Sequence, residues 1–141
     1  MAIKKNRHQR YAKEVDYQVG ARKSYPVSAT KVWDYLISLK GLKVWLGSVD
    51  PNKLLSKEYF QTGGGDEGKL RVFKPYSHLR MNWKHSCWEN LSTLQIRVTP
   101  NKSKTTVSFH QEKLKDNRQR KDMKAYWQHV LKQLEKELEN V

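Results

Sequence analysis

The sequence predicts an α+β fold: a curved antiparallel sheet of about six strands closed by one long C-terminal α-helix, with two short helices after the first strand. Three observations carry this. The last third of the chain passes from a strand-like run, Thr105 to Glu112, straight into an amphipathic helix whose Met123, Trp127, Val130, Leu131, Leu134 and Leu138 recur at spacings of three and four. From Tyr59 to Phe109 the apolar period is two, broken at hairpin intervals by turn residues. Helical periodicity is confined to the two flanks of this ladder, which excludes alternating β-α-β winding.

Residues 1–18 are polar and basic with no clear period, and are expected to form an arm ahead of a single domain at 19–141. Val19 to Val27 reads as the first strand, ending at Pro26, a residue tolerated at strand ends. Ser28 is suited to cap a helix over Ala29 to Ser38, with Val32, Trp33, Leu36 and Ile37 on one stripe. A second short helix, Leu42 to Leu46, is expected after Gly41, ending at Gly47, and Asp50 and Pro51 then open a loop. Tyr59 and Phe60 form a short strand, and Leu70 and Val72 follow the glycine-rich turn. Leu79, Met81 and Trp83 alternate with Arg80, Asn82 and Lys84; Leu94, Ile96 and Val98 with Gln95, Arg97 and Thr99; and Val107 with Phe109 completes the meander.

With 141 residues, 37% of them hydrophobic, the chain is long enough for one core and too short for two. No run approaches the roughly 20 apolar residues of a membrane helix, and the basic start has no apolar segment behind it. The single cysteine, Cys87, cannot form an internal disulfide and suits a reducing compartment, so the expected home is the cytoplasm. A formal charge of +14 suggests affinity for something acidic. The basic residues are spread over strands, turns and helix without an RNA- or DNA-binding motif. A generally basic surface is therefore favoured over a dedicated nucleic-acid site.

The run Tyr25-Pro26-Val27-Ser28-Ala29-Thr30-Lys31-Val32-Trp33-Asp34-Tyr35-Leu36, with Trp45-Leu46-Gly47, the stretch Leu79 to Trp83, and the ending Val107 to Phe109 followed by Tyr126-Trp127 and Leu131, resembles the START-like (SRPBCC) helix-grip superfamily. Within it the chain is similar to the group named after the activator of the heat-shock chaperone ATPase. The resemblance spans residues 19 to 140 and implies a grip cavity between sheet and terminal helix. Across the superfamily that cavity serves lipid binding, aromatic cyclisation, hormone sensing or chaperone contact, so fold does not settle function.

Large apolar side chains fall where such a cavity would lie. Trp33, Trp45, Phe60, Val72, Met81, Trp83, Ile96, Phe109, Met123, Tyr126 and Trp127 are the candidate lining, with Trp83, Phe109 and Trp127 as walls and Trp45 with the glycine-rich hairpin at the entrance. The competing reading is that these rings simply fill the core. Gly63-Gly64-Gly65-Asp66-Glu67-Gly68-Lys69 fits the core of a phosphate-binding loop, but Leu70 replaces the magnesium-binding hydroxyl, and two carboxylates occupy the anion's place. A hairpin turn is the better reading. His85 and Cys87, two apart, could pair a base with a thiol on one strand face; the favoured reading makes Cys87 a partly buried filler and His85 surface. The remaining histidines lack metal-ligand spacing, so no metal and no cofactor are expected.

The leading expectation is a non-enzymatic module that binds a small apolar or amphipathic molecule. The alternatives are an interaction protein, chaperone-related or using its basic arm and surface on an acidic partner, protein or nucleic acid, and a cyclase-type enzyme, which requires a polar group projecting into the cavity, with His110 and Asn82 the groups to map.

Overall fold

The computed structural model describes residues 17–141. The expected arm therefore lies, except for Tyr17 and Gln18, outside the described residues. Those two belong to the first strand, β1 (Tyr17–Tyr25). Three short helices follow: α1 (Ala29–Leu36), α2 (Leu39–Trp45) and α3 (Pro51–Leu55). Five strands come next, β2 (Tyr59–Gln61), β3 (Glu67–Lys74), β4 (His78–Lys84), β5 (Ser92–Asn101) and β6 (Lys104–Leu114), and then the long helix α4 (Asn117–Leu138). The antiparallel sheet has the order β1-β6-β5-β4-β3-β2, so the first strand pairs with the last and the meander runs outward from there.

Local chemistry explains the helical segment between β1 and β2. Ser28 caps α1 by accepting the Lys31 N–H, as its position suggests. Two expectations need correcting. Ser38 leaves the first helix, and its Oγ accepts the Gly41 N–H at 3.1 Å, so α2 starts at Leu39 and Gly41 lies inside it. Asp50 and Pro51 do not open a loop: Asp50 Oδ1 accepts the Asn52 N–H at 2.9 Å and Pro51 takes the first helical position, which makes a third short helix.

The core lies between the sheet and the helices. One sheet face presents Leu70, Leu79, Met81, Trp83, Leu94, Ile96, Val98, Val107 and Phe109, all buried. Against it α4 packs Met123, Trp127, Val130, Leu131, Leu134 and Leu138. Three tyrosine hydroxyls tie the helix to its surroundings: Tyr25 donates to the Leu131 carbonyl, Tyr126 to the Trp45 carbonyl and Tyr35 to Glu137 Oε1. The other face is polar, with Lys74, His78, Arg97, Ser108 and Arg22 forming one row across five strands.

Candidate ligand cleft

A cleft of about 400 Å³ opens at one end of the grip, between the end of β4, the 85–88 turn, the β2–β3 hairpin and the first half of α4. Trp83 and Trp88 form one wall, with ring centroids 5.4 Å apart and planes at 81°. Met123 and Tyr126 of α4 form the facing wall, one helical turn apart. Polar groups enter from the hairpin (Asp66), the turn (His85 and Cys87) and the helix (Asp122).

The hairpin places Asp66 by backbone chemistry. Gly65 adopts φ +94°, and the turn closes through Thr62 N–H to the Asp66 carbonyl at 2.8 Å. Asp66 Oδ1 accepts the Ser86 N–H at 2.9 Å, which ties the hairpin to the turn across the cleft mouth. The glycine run is thus a strand–turn–strand element, as its flanks suggest. On the opposite wall burial, and then the charge of Asp66, push the Tyr126 phenol up to about 12, so its hydroxyl stays protonated and donates to the Trp45 carbonyl. The Trp83 indole N–H is buried and has no hydrogen-bond partner among the described residues.

Of the eleven candidate lining residues, Trp83, Met123 and Tyr126 meet in this cleft. Trp33, Trp45, Phe60, Met81, Ile96, Phe109 and Trp127 are core residues, each at most 1% exposed. Trp127 stacks on Phe109, and Trp33 packs against Phe73 and Tyr76. Val72 departs from expectation: a register shift between Leu70 and Val72 reverses the alternation, so Leu70 pairs with buried Met81 while Val72 pairs with exposed Arg80 on the polar face. Asn82 and His110 also lie on that face, where His110 meets Gln18 and Glu112, so neither reaches the cleft. The two polar groups to be mapped for the cyclase-type reading thus lie outside the cleft.

His85 and Cys87 correct a further expectation. They occupy a turn rather than a strand, Cys87 is exposed rather than partly buried, and His85 Nδ1 accepts the Cys87 backbone N–H at 3.0 Å. That nitrogen is therefore engaged with the backbone and not with the thiol. Among the described residues no three His, Cys, Asp or Glu side chains are grouped to hold a metal ion, and no helix is long and apolar enough to cross a membrane.

Trp88, one of the five tryptophans suited to line a pocket, also stands in the cleft, while sequence reasoning passes over Asp66 and Asp122 as lining, and also Gln111. Gln111 is fully buried behind the cleft, where it accepts the Trp127 indole N–H at 2.9 Å and donates to Ser92 Oγ at 3.0 Å. Ser92 in turn donates to the carbonyl of Trp83. Strand parity is the available signal, since Gln111 follows Val107 and Phe109 at a period of two.

An antiparallel sheet gripping one long helix, with a cleft at the open end of the grip, defines a START-like (SRPBCC) domain. The chain belongs to the family described as Activator of Hsp90 ATPase homolog 1-like protein, which matches residues 26–139. No protein of curated function matches it. Among solved structures it is similar to DynU16, from the dynemicin biosynthetic locus, with TM-score 0.71 and 17% identity over 86% of this chain and 47% of that one, so it spans about half of DynU16. The Aha1 dimer from Colwellia psychrerythraea matches with TM-score 0.69 and 16% identity, over 86% of this chain and 96% of that one. An HSP90 activator from Plasmodium falciparum matches with TM-score 0.55 and 17% identity, over 69% and 73% of the two chains. At these identities the likeness establishes the fold.

Proposed function

We propose that the domain is a non-enzymatic binding module that holds a small amphipathic molecule in the cleft between β4, the β2–β3 hairpin and α4. The observation that carries this is the pair of facing walls, Trp83 with Trp88 and Tyr126 with Met123, in a cleft of about 400 Å³ with a few convergent polar groups. That is the size and lining small-molecule sites share. The Phe109–Trp127 stack fills the middle of the grip, so the ligand sits at its end. Native mass spectrometry of the freshly purified protein, followed by titration of the tryptophan side-chain N–H resonances with fatty acids, flavonoids and aromatic amines, tests the reading. Saturable shifts at Trp83 and Trp88, abolished by Met123→Trp, are expected. Shifts that never saturate, or that survive the filled cleft, would overturn it.

A second reading, an acidic protein partner on the polar sheet face, is favoured by one observation. Lys74, His78, Arg97 and Arg22 share a row and Arg80 lies in the next, and among the described residues none of the five forms a salt bridge. It predicts binding to poly-L-glutamate that falls with salt and is lost when Arg80 and Arg97 are both changed to glutamate. Retention unchanged by that pair of substitutions would remove it.

A further inference from the structure

The charge of the cleft runs against the charge of the protein. The chain carries 28 Lys and Arg against 14 Asp and Glu, yet among the described residues the cleft lining contains two carboxylates, Asp66 and Asp122, and neither lysine nor arginine. Three other surface cavities each include at least one such cation: Lys31 in the first, beside Glu135 and Glu139; Arg22, Lys23 and Lys132 in the second; Arg22 and Lys124 in the third. Lys84, which stands beside the cleft, turns its ammonium to the Trp88 carbonyl at 2.9 Å.

We infer that the cleft selects a cationic ligand, a protonated amine or similar cation carried on a flat apolar body. The inference rests on the reading of the cleft as a ligand site and names the chemical class that site takes. Indole and phenol faces attract a cation through their ring quadrupoles, and Trp83, Trp88 and Tyr126 supply three such rings. Asp66 and Asp122 supply the counter-charge from opposite walls. The net positive charge of the whole molecule does not cancel this. At physiological ionic strength exposed charges are screened within about 8 Å, so distant lysines count for little, and the nearby Lys84 is a single cation against two lining carboxylates. A second, independent feature points to a ligand: Trp83 is 5% exposed, stands in the wall, and has an indole N–H with no partner among the described residues. Asp66 acts on groups inside the cleft, since its charge contributes to holding the Tyr126 hydroxyl in its protonated form.

Three isosteric probes decide the matter: phenethylamine, 2-phenylethanol and phenylacetate, titrated into the full chain while the side-chain N–H resonances of Trp83 and Trp88 are followed. The amine is expected to bind at least about tenfold more tightly than the alcohol, or about 1.4 kcal/mol, with the carboxylate weakest. Asp122→Asn, an exposed helix position, should reduce that preference, and Asp66→Asn combined with it should remove it. The amide introduced by Asp66→Asn keeps an acceptor for the Ser86 N–H, so the hairpin stays closed. If the alcohol or the carboxylate binds as well as the amine, the cleft remains a ligand site and the cationic class is overturned. If none of the three shifts Trp83 or Trp88, both readings fail together.

Discussion

Trp127 lies face to face on Phe109, with ring centroids 4.4 Å apart and planes 10° from parallel. One ring comes from the centre of α4 and the other from the middle of β6, so the stack closes the space between helix and sheet where a grip fold could be hollow. The cleft lined by Tyr126 and Trp83 lies beyond this stack, at the end of the grip. Trp127→Ala should cost about 3–5 kcal/mol in urea unfolding, and Phe109→Ala a similar amount. The double variant should lose less than the sum, since two rings that touch share one stacking interaction of about 0.5–1.5 kcal/mol. Strict additivity would show that the rings act independently.

Gln111 bonds the same indole from the side and continues through Ser92 to the Trp83 backbone. Replacing it by leucine leaves the Trp127 N–H buried without a partner, which should cost about 1–3 kcal/mol. In a Trp127→Phe background that penalty should shrink, because the donor is gone. Denaturant midpoints of the four chains form the cycle, and an equal cost in both backgrounds would count against the bond.

Gly41 is needed for packing. A Cβ there would run into the Tyr35 carbonyl, which belongs to rigid helix backbone. Gly41→Ala should therefore destabilise, although alanine is the better helix former by up to about 1 kcal/mol. Thermal unfolding of this variant should fall below the wild type, and a rise would place α1 and α2 further apart than described.

The ladder is legible because a sheet with one wet face writes its alternation into the sequence, as Leu79 to Lys84 and Leu94 to Thr99 do. Ser28 announces its helix for the same kind of local reason. Val72 escapes such a reading because a bulge reverses parity without leaving a signature in residue type. Ser38 and the Asp50-Pro51 pair do carry capping chemistry, but the glycines at 41 and 47 are the more conspicuous boundary marks. The site is less legible than the fold. Eleven apolar residues point the right way in sequence, and only packing against a partner decides that Phe109 meets Trp127 while Tyr126 meets open space.

His78 reports on the polar sheet face. Burial, and then the neighbouring Arg97, Lys74 and Arg80, hold its imidazole below the ordinary histidine range. Arg97→Gln should move its titration upward in proton NMR, and added salt should do the same in the wild type, while part of the depression persists because burial remains. A titration indifferent to both changes would mean that the row of cations does not act on His78 as a group.

Alkaline pH tests the tyrosine ties. Burial and the hydrogen bond to Glu137 push the Tyr35 phenol up to about 12, and burial with the charge of Asp66 does the same for Tyr126. In the unfolded chain both titrate near 10. A folded value above the unfolded one means that the native state holds its proton more tightly. The contribution is therefore complete below about pH 10 and is lost as pH rises from about 10 to about 12. Urea midpoints should decline across that window. Tyr126→Phe and Tyr35→Phe should each flatten the decline, and each should remove about 0.5–1.5 kcal/mol at neutral pH for the lost bond. Tyr126→Phe carries the further expectation of preserving the cleft wall, since the ring remains while only its tie to the Trp45 carbonyl is cut. An unchanged alkaline slope in both variants would show that the decline comes from other groups, with Tyr25, raised further still by its burial and by Glu135, the next to replace.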